Sequence, residues 1–460
     1  MVKYFFLTLC IFCNTVLVNA QWIELGGTGA NGLNANQEIY TMAIDRSGNV
    51  YAAGVFADTS GNPYVAKWNG TIWSEVGVGA KALNANAGIL TIAVDDIGNI
   101  YAAGYFTDNE ATSYVAKWDG TTWSELGVGA NALNGSDAIN AIALDKDGNV
   151  YAAGNFTDIN GNSYVAKWNG ITWSELGTGS NALNANYSIN TIAVDDSGNV
   201  YAGGYFLDSN NNSYVAKWNG KSWIELGGAG NAGLKANEEI SVITLDTAWN
   251  VYAAGYFTDP ASKVYVAKWN GKNWSEVGTG SNALNANDGI NWMALDDSGN
   301  IYVAGNFTDI NNENYVAKWN GKTWNEVGIG SNALNANYDI NAIVLNASGN
   351  IFVGGDFTDS SGNYYVAEYF PTTTTITAIT NSTSSSSINV YPNPTTDGIT
   401  INSPEAGQVA VYSILGELVA SQNVQAGNAT MALDNLPTGL YTLILTGQNN
   451  SYMPVKVVKN

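Results

Sequence analysis

The stretch WSELGTGSNALNANYSINTIAVDDSGNVYAGGYFLDSNNNSYVAKWNG, residues 173–220, decides the fold because it is one complete copy of a repeated unit. Its first tryptophan aligns with six others at intervals of 50 or 51 residues: Trp22, Trp73, Trp123, Trp173, Trp223, Trp274 and Trp324. A fixed period of this length indicates that each unit is one supersecondary element that buries its apolar surface against its neighbours.

Each unit is predicted to contain four short strands joined alternately by tight turns and by longer polar loops. Gly198 suits the positive φ of the first turn, and Asn219-Gly220 is a strong signal for a two-residue hairpin. Trp218 and Trp223 flank that hairpin, and we expect them to pack diagonally on one face of the sheet. The predicted strands are Asn190–Val194, Val200–Phe206, Tyr214–Trp218 and Ser222–Leu226.

The two ends of the repeat region predict a closed ring rather than a linear β-solenoid. The region opens with an isolated fourth strand, Gln21–Leu25, and closes with Tyr365–Phe370, a third strand that has no following partner. The opening strand can complete the last unit and thereby remove the exposed sheet edges. We therefore predict an all-β, seven-bladed β-propeller over residues 21–370.

The propeller repeat resembles bacterial kelch-like and galactose-oxidase-like repeats. The resemblance rests on the Asp-x-x-Gly-Asn-[Val/Ile]-Tyr turn and the Trp-Asn-Gly-x-x-Trp hairpin. Such a resemblance implies a fold and leaves the activity open.

The remaining segments are predicted to serve export. Residues 1–20 read as a signal peptide, with Lys3, a short apolar core and Val18-Asn19-Ala20 before the cleavage site. A transmembrane anchor is the alternative, but the apolar run is short for a bilayer, so we expect no transmembrane segment in the mature chain. A Thr/Ser-rich linker over 371–387 precedes a second β-rich domain at 388–460.

This last domain is similar to the type A C-terminal sorting domain of type IX secretion substrates. The matching residues are Tyr391, Pro392, Asn393, Pro394, Gly416, Pro437, Gly439, Tyr441 and Lys456. The resemblance implies an immunoglobulin-like β-sandwich, a Bacteroidota host and the type IX secretion machinery as a partner. It also implies that the protein is secreted or displayed on the outer-membrane cell surface, with the domain removed after export. An accessory binding module is the alternative.

Composition excludes several classes of function. The only cysteines, Cys10 and Cys13, lie in the predicted signal peptide, and the chain has no histidine. Ser-His-Asp and Cys-His catalysis, and histidine-ligated zinc, copper or iron, are therefore excluded. The net charge of −22 would repel phosphate backbones, which argues against nucleic acid as a partner. Calcium and neutral ligands such as sugars remain compatible with this charge.

Two sets of recurring acidic residues have ordinary structural interpretations. An aspartate recurs in the longer loop of every blade, and we interpret it as a cap on turn amides rather than a metal ligand. A glutamate such as Glu175 recurs on the fourth strand, where a solvated position is expected. The loop aspartates are Asp58, Asp108, Asp158, Asp208, Asp259, Asp309 and Asp359.

The candidate site lies where the long loops meet the inner strands, because the two residues before each inner strand vary between otherwise similar repeats. Six of these fourteen residues are acidic and none is basic. Carboxylates could bind calcium and tyrosines could stack on a sugar ring, although a rim that only aids solubility is an alternative. The candidate binding residues are Glu38, Asp137, Tyr187, Glu238, Glu239, Asp288, Tyr338 and Asp339.

The sequence thus favours a non-catalytic binding or adhesion protein whose ligand is a glycan or another surface polymer. It predicts no cofactor, although calcium is compatible with the acidic residues. A purely structural surface protein is one alternative. The other is a glycoside hydrolase that uses a carboxylate pair on the long-loop face.

Overall fold

The computed structural model describes residues 16–17, 21–228, 232–370, 375–376, 389–413, 418–447 and 455–460. The chain forms two compact units, one spanning Asn19–Thr373 and one combining Met1–Val18 with Thr374–Asn460. Almost all of the predicted signal peptide and linker lies outside the described residues. Among the residues that are described, no helix is long and apolar enough to span a bilayer.

The larger unit is a seven-bladed propeller in which each blade is a four-stranded antiparallel sheet. We number the blades 1 to 7 in the order of their inner strands. The inner strands are Ile39–Ile44, Ile89–Val94, Ile139–Leu144, Ile189–Val194, Ile240–Leu245, Ile290–Leu295 and Ile340–Leu345. The second strands are Val50–Gly54, Ile100–Gly104, Val150–Gly154, Val200–Gly204, Val251–Gly255, Ile301–Gly305 and Ile351–Gly355.

The third and outer strands are three residues long, so the predicted strands were one or two residues too long at several ends. The third strands are Ala66–Trp68, Ala116–Trp118, Ala166–Trp168, Ala216–Trp218, Ala267–Trp269, Ala317–Trp319 and Ala367–Tyr369. The outer strands of blades 1 to 6 are Trp73–Glu75, Trp123–Glu125, Trp173–Glu175, Trp223–Glu225, Trp274–Glu276 and Trp324–Glu326. Short 3-10 turns lie at Gly79–Lys81, Gly129–Asn131, Gly179–Asn181, Gly280–Asn282 and Gly330–Asn332.

The opening strand closes the ring, as the sequence predicted. Trp22–Glu24 is the outer strand of blade 7, with Trp22 opposite Tyr369 and Glu24 opposite Ala367. The inner strand of blade 7 packs beside that of blade 1. Because the two ends of the repeat region meet within one sheet, blade 7 has the same four strands as the others.

The tryptophan pairs are structural, although their predicted diagonal placement was wrong. Trp218 and Trp223 are direct cross-strand partners, with ring centroids 6.0 Å apart. The reason is the hairpin register, which sets the residues flanking the four-residue connection opposite each other. The outer tryptophan of each blade also donates its indole N–H to the preceding blade, as Trp173 does to the Leu126 carbonyl at 2.6 Å.

The smaller unit contains the β-sandwich expected of residues 388–460. One sheet has the strands Asn389–Tyr391, Gly398–Ser403 and Gly427–Ala432, and the other has Gly407–Tyr412, Leu418–Val424, Gly439–Gly447 and Val455–Lys459. Alternate residues of both sheets, including Ile401, Val411 and Leu443, are fully buried in one core. Two further short strands, Val16–Leu17 and Thr375–Ile376, pair with each other in this unit.

Candidate functional site

The variable residue pairs lie at the start of the inner strands, where the backbone fixes their positions. In blade 4 the Tyr205 N–H donates to the Ser188 carbonyl at 3.0 Å. A Cβ at Gly204 would lie 2.2 Å from that carbonyl oxygen, so only glycine permits this close approach. The second residue of each pair is thereby held beside the residue that follows the second strand. We call this zone of the long-loop face the mouth.

Most of the acidic residues of the mouth lie along one arc rather than around the whole ring. Glu38 and Asp339 both repel the Asp356 carboxylate electrostatically, and Asp288 repels Asp339. Burial raises the pKa of Asp339 and of Asp356, and these neighbouring charges raise both further. Burial raises the pKa of Tyr256, and the nearby charge of Glu239 raises it further. The arc therefore runs from blade 5 through blades 6 and 7 to blade 1.

Asparagines at the bulge of the inner strands support this arc. The Asn341 side chain donates to Asp356 Oδ1 at 2.8 Å, and that of Asn291 donates to Asn306 Oδ1 at 2.7 Å. Each of these amides thus orients a polar group at the adjoining mouth position.

Of the other predicted residues, Asp137 lies apart from the acidic arc, whereas Tyr338 adjoins it. The Asp137 carboxylate accepts the N–H of Ala138, the next residue, at 2.6 Å. Tyr338 is 63% exposed. Burial and the charges of Glu38 and Asp356 raise the pKa of Tyr364, and Tyr338 adds to this rise. The Tyr364 hydroxyl donates to Glu38 at 3.5 Å.

The mouth between blades 4 and 5 combines three of the predicted residues in one cavity of about 530 Å³, which we call the blade 4 cavity after its two tyrosines. Tyr187 and Tyr205 are 57% and 50% exposed there, and both carry hydroxyls. The Oε2 atom of Glu239 is buried and has no hydrogen-bond partner among the described residues. Burial raises the pKa of Glu239, which hydrogen bonds from Ser241 and Asn190 counteract. The lining comprises Tyr187, Ser188, Tyr205, Leu207, Asn211, Ser213, Asn237, Glu238 and Glu239.

Sequence reasoning missed Tyr205 and Asp356, which occupy the position just after the second strand. That position also varies between blades and could have been found by the same comparison of repeats. Its occupants are Val55, Tyr105, Asn155, Tyr205, Tyr256, Asn306 and Asp356.

The recurring glutamates of the outer strands are half-buried, which corrects the solvated placement expected from sequence. Glu175 lines a cavity of about 430 Å³ together with Asp158 and Tyr164. Burial, and then the nearby Asp158 charge, raise the pKa of Glu175. The cause is that the connections to the neighbouring blades, with Leu133 and Asn184, line the same cavity and partly cover Glu175.

The loop aspartates cap turn amides, as interpreted from sequence. Asp158 Oδ1 accepts the backbone N–H groups of Asn160 and Asn162 at 2.8 and 2.9 Å. Hydrogen bonds of this kind lower the pKa of Asp158. In the described part of the chain, no group of three or more His, Cys, Asp or Glu residues is arranged to hold a metal ion.

The sorting motif ties the first strand of the β-sandwich to the last. The Asn393 side chain donates to the Lys456 carbonyl at 2.6 Å and accepts the Val458 N–H at 2.9 Å. The Tyr441 hydroxyl donates to the Pro437 carbonyl at 2.7 Å. Gly439 lies opposite Lys459, while Gly416 falls outside the described residues. Tyr391 is 47% exposed beside Pro392, and Pro394 leads into the next strand.

Comparison with known proteins identifies the C-terminal domain. Residues 389–460 match the family model described as Secretion system C-terminal sorting domain. Over 77 residues, 16% of this chain, the sequence is 34% identical to the ulvan lyase NLR42 of Nonlabens ulvanivorans. The match covers 14% of that enzyme, so the chain spans far less than two thirds of its length.

Solved structures of bacterial surface proteins are similar to this chain at low sequence identity. The extracellular domain of BT4673 from B. thetaiotaomicron has a TM-score of 0.51 and 14% identity, over 97% of this chain and 60% of that one. PorZ, a surface component of the type IX secretion system of Porphyromonas gingivalis, has a TM-score of 0.46 and 15% identity, over 95% and 60%. The chain is thus a β-propeller protein whose C-terminal type IX sorting domain directs it to the cell surface or the medium.

Proposed function

We propose that this protein is a non-catalytic glycan-binding module whose primary site is the blade 4 cavity at the mouth. The observation that supports this most strongly is the pairing of two exposed tyrosine rings with a buried carboxylate oxygen that has no hydrogen-bond partner in the described part of the chain. Buried polar atoms without a partner are rare and unfavourable in folded proteins. A ligand that donates a hydrogen bond to Glu239 would remove this penalty.

Sugars have the two properties that this cavity requires. Their C–H faces pack on aromatic rings such as Tyr187 and Tyr205, while their hydroxyls donate to carboxylates and exchange hydrogen bonds with serine and asparagine. The cavity volume of about 530 Å³ lies within the usual range for small-ligand sites. The glycan should be neutral, because Glu238 and Glu239 and the net charge of −22 would repel uronic acid or sulfated polymers.

A glycan array probed with the full chain tests this proposal, with each hit repeated on the double variant Tyr187→Ala/Tyr205→Ala. We expect selective binding to neutral glycans and a loss of at least tenfold in affinity in the variant. The matched control is Tyr338→Ala/Tyr105→Ala, which removes tyrosines from the equivalent positions in other blades and should retain binding. Equal binding by both double variants, or retention only of anionic glycans, would rule out this site.

A glycoside hydrolase is the second candidate, and one observation favours it. Asp339 and Asp356 are neighbouring mouth carboxylates whose pKa values are both raised, as a general acid requires. Release of reducing sugar from an array hit, abolished by Asp356→Asn, would replace the binding proposal with this one.

A further inference from the structure

We propose that the propeller carries a second, independent set of saccharide sites: six equivalent pockets on its outer rim, one in every blade except blade 4. We call each a rim pocket and define it by the loop aspartate, the following tyrosine and the outer-strand glutamate of one blade. In blade 3 these residues are Asp158, Tyr164 and Glu175.

The blade 3 rim pocket is built from three chain segments. The connection from blade 2 provides Ala132 and Leu133, and the connection to blade 4 provides Gly179 and Asn184. Between them lie the carboxylates of blade 3, above the side of Trp173, which is only 9% exposed. The volume of about 430 Å³ is sufficient for a small ligand.

The same three residue types recur without exception around the ring. In every blade the residue after the glutamate donates its backbone N–H, at 2.8 Å, to the carbonyl of the residue after the tyrosine, so the backbone of the pocket repeats. Burial, and then the aspartate charge of the same blade, raise the pKa of each glutamate. Blade 7 takes its glutamate from the opening strand of the chain. The glutamates are Glu24, Glu75, Glu125, Glu175, Glu225, Glu276 and Glu326.

The hydrogen-bonding capacity of the two carboxylates differs. Asp158 already accepts from two turn amides, and its second oxygen accepts from the Asn160 side chain at 3.2 Å. Within the described residues, the Glu175 carboxylate accepts no hydrogen bond. A half-buried carboxylate with its acceptor sites open toward a cavity suits a ligand that donates hydrogen bonds.

This inventory selects the class of ligand. An anion would be repelled by the two carboxylates. A hard cation such as Ca²⁺ needs six to eight oxygen ligands, and the oxygens of Asp158 already accept hydrogen bonds from the turn. Adjacent hydroxyls of a neutral sugar can donate to Glu175 without a charge to compensate. We therefore assign the rim pockets to a single neutral pyranose each.

Blade 4 differs because a lysine charge acts on its outer-strand glutamate. The position held by Asn184 in the blade 3 pocket is occupied by Lys235 in blade 4. Burial and then the Asp208 charge raise the pKa of Glu225, and the Lys235 charge offsets part of this rise. Both residues have positive φ, 48° and 52°, so the two side chains start from the same backbone conformation. The charge of Lys235 thus already compensates the Glu225 carboxylate, and we expect no sugar to bind in the blade 4 rim pocket.

The test is a reciprocal exchange on the full chain, with saturation stoichiometry measured by equilibrium dialysis against methyl β-glucoside, methyl β-galactoside and methyl α-mannoside. For the sugar bound, we expect six rim equivalents in addition to the mouth site. Lys235→Asn should add one equivalent, and Asn184→Lys should remove one. The Tyr187→Ala/Tyr205→Ala variant should remove one and leave the six.

Each outcome separates the two sets of sites. A wild-type stoichiometry of one that falls to zero in the tyrosine variant would overturn the rim pockets and leave the mouth site intact. Six equivalents that respond to the lysine exchange but not to the tyrosine variant would support the rim pockets and refute the mouth site. Stoichiometry unchanged by both lysine variants, or no binding at all, would overturn the inference, with thermal melting confirming that each variant is folded.

Discussion

The tight turn between the inner strand and the second strand is held by different residues in blades 1 to 6 and in the closing blade 7. In blade 3, Asp145 Oδ1 accepts the N–H groups of Asp147 and Asn149, while Oδ2 accepts the Asn149 side chain and the Tyr151 hydroxyl. Lys167 lies over the Tyr151 ring at 5.1 Å from its centroid. One carboxylate therefore organises the turn, and a cation on the third strand accompanies it.

In blade 7 the carboxylate is on the third strand instead of in the turn. Asn346 caps the N–H groups of Ser348 and Asn350 with its amide oxygen, and the Asn350 side chain donates to Glu368 at 2.8 Å. Phe352 replaces the tyrosine, so no hydroxyl needs an acceptor. The comparison teaches that the repeat requires a capping oxygen and an acceptor for the asparagine, and that their charge can move to another strand.

Removal of the closing strand should produce the largest effect on this comparison. A chain lacking residues 21–27 loses the Trp22–Tyr369 ring contact, the buried Leu25 side chain and the pairing of the whole strand. We expect the free energy of unfolding to fall by about 5 kcal/mol or more, since each buried large side chain contributes several kcal/mol. Thermal melting and urea titration measure this, and an unchanged midpoint would contradict closure.

Restoring the repeat residue in the closing blade should destabilise it. Asn346→Asp places a second carboxylate opposite Glu368, which is only 8% exposed, with Asn350 between them. We expect a loss of about 2 kcal/mol at pH 7, as for other uncompensated buried charges. The second substitution Glu368→Lys should recover most of it, because it recreates the arrangement of the other blades. A double variant as unstable as the single one would refute the compensation.

The sequence predicted the architecture because the information that specifies it is local and repeated. The period, the Asn219-Gly220 hairpin and the unpaired strands at both ends require no knowledge of distant contacts. The predicted diagonal placement of Trp218 and Trp223 was wrong because a hairpin fixes strand pairing through backbone geometry, which residue types alone do not determine. Likewise, the exposure of Glu175 depends on how far the next connection folds over the outer strand.

The candidate site was predicted only in part, for a similar reason. Variation between repeats identified Tyr187, Glu238 and Glu239, which the structure brings into one cavity. It could not show that Asp137 bonds to its own neighbour, or that the acidic residues form an arc, since both depend on the spacing of blades across the ring. Tyr205 was accessible to the same reasoning and was missed because the comparison covered only the two residues before each inner strand.

Loss of the indole N–H should cost similar amounts at the closing blade and at a regular blade. Trp22 donates to the Val327 carbonyl at 2.9 Å, and Trp173 donates to the Leu126 carbonyl at 2.6 Å. We expect Trp22→Phe and Trp173→Phe each to lower the free energy of unfolding by about 1–2 kcal/mol, from a lost hydrogen bond plus reduced packing. Urea titration compares them. A much larger loss for Trp22→Phe would mean that the stability of the ring depends more on the closing strand than on the contacts between regular blades.

The smallest effects should have opposite signs and separate the two kinds of blade by pH. Hydrogen bonds hold the pKa of Asp145 below its ordinary 3.8 despite partial burial, whereas burial raises the pKa of Glu368 above 4.5. The folded state therefore favours the ionised form of Asp145 and the protonated form of Glu368. The stabilisation from Asp145 is present above pH 4 and is lost as pH falls through its folded pKa. The penalty from Glu368 is absent below pH 4 and develops as pH rises through its folded pKa.

Two isosteric substitutions test these signs by urea titration at pH 7 and pH 3. Asp145→Asn should lower the free energy of unfolding by about 1 kcal/mol at pH 7, with the difference from wild type shrinking at pH 3. Glu368→Gln retains an oxygen for Asn350 and removes a buried charge, so it should raise stability by on the order of 1 kcal/mol at pH 7 and leave it unchanged at pH 3. If Glu368→Gln is instead destabilising at pH 7, the ionised Glu368 carboxylate stabilises the closing blade. The charge would then contribute to the stability of blade 7 as the Asp145 charge contributes to that of blade 3.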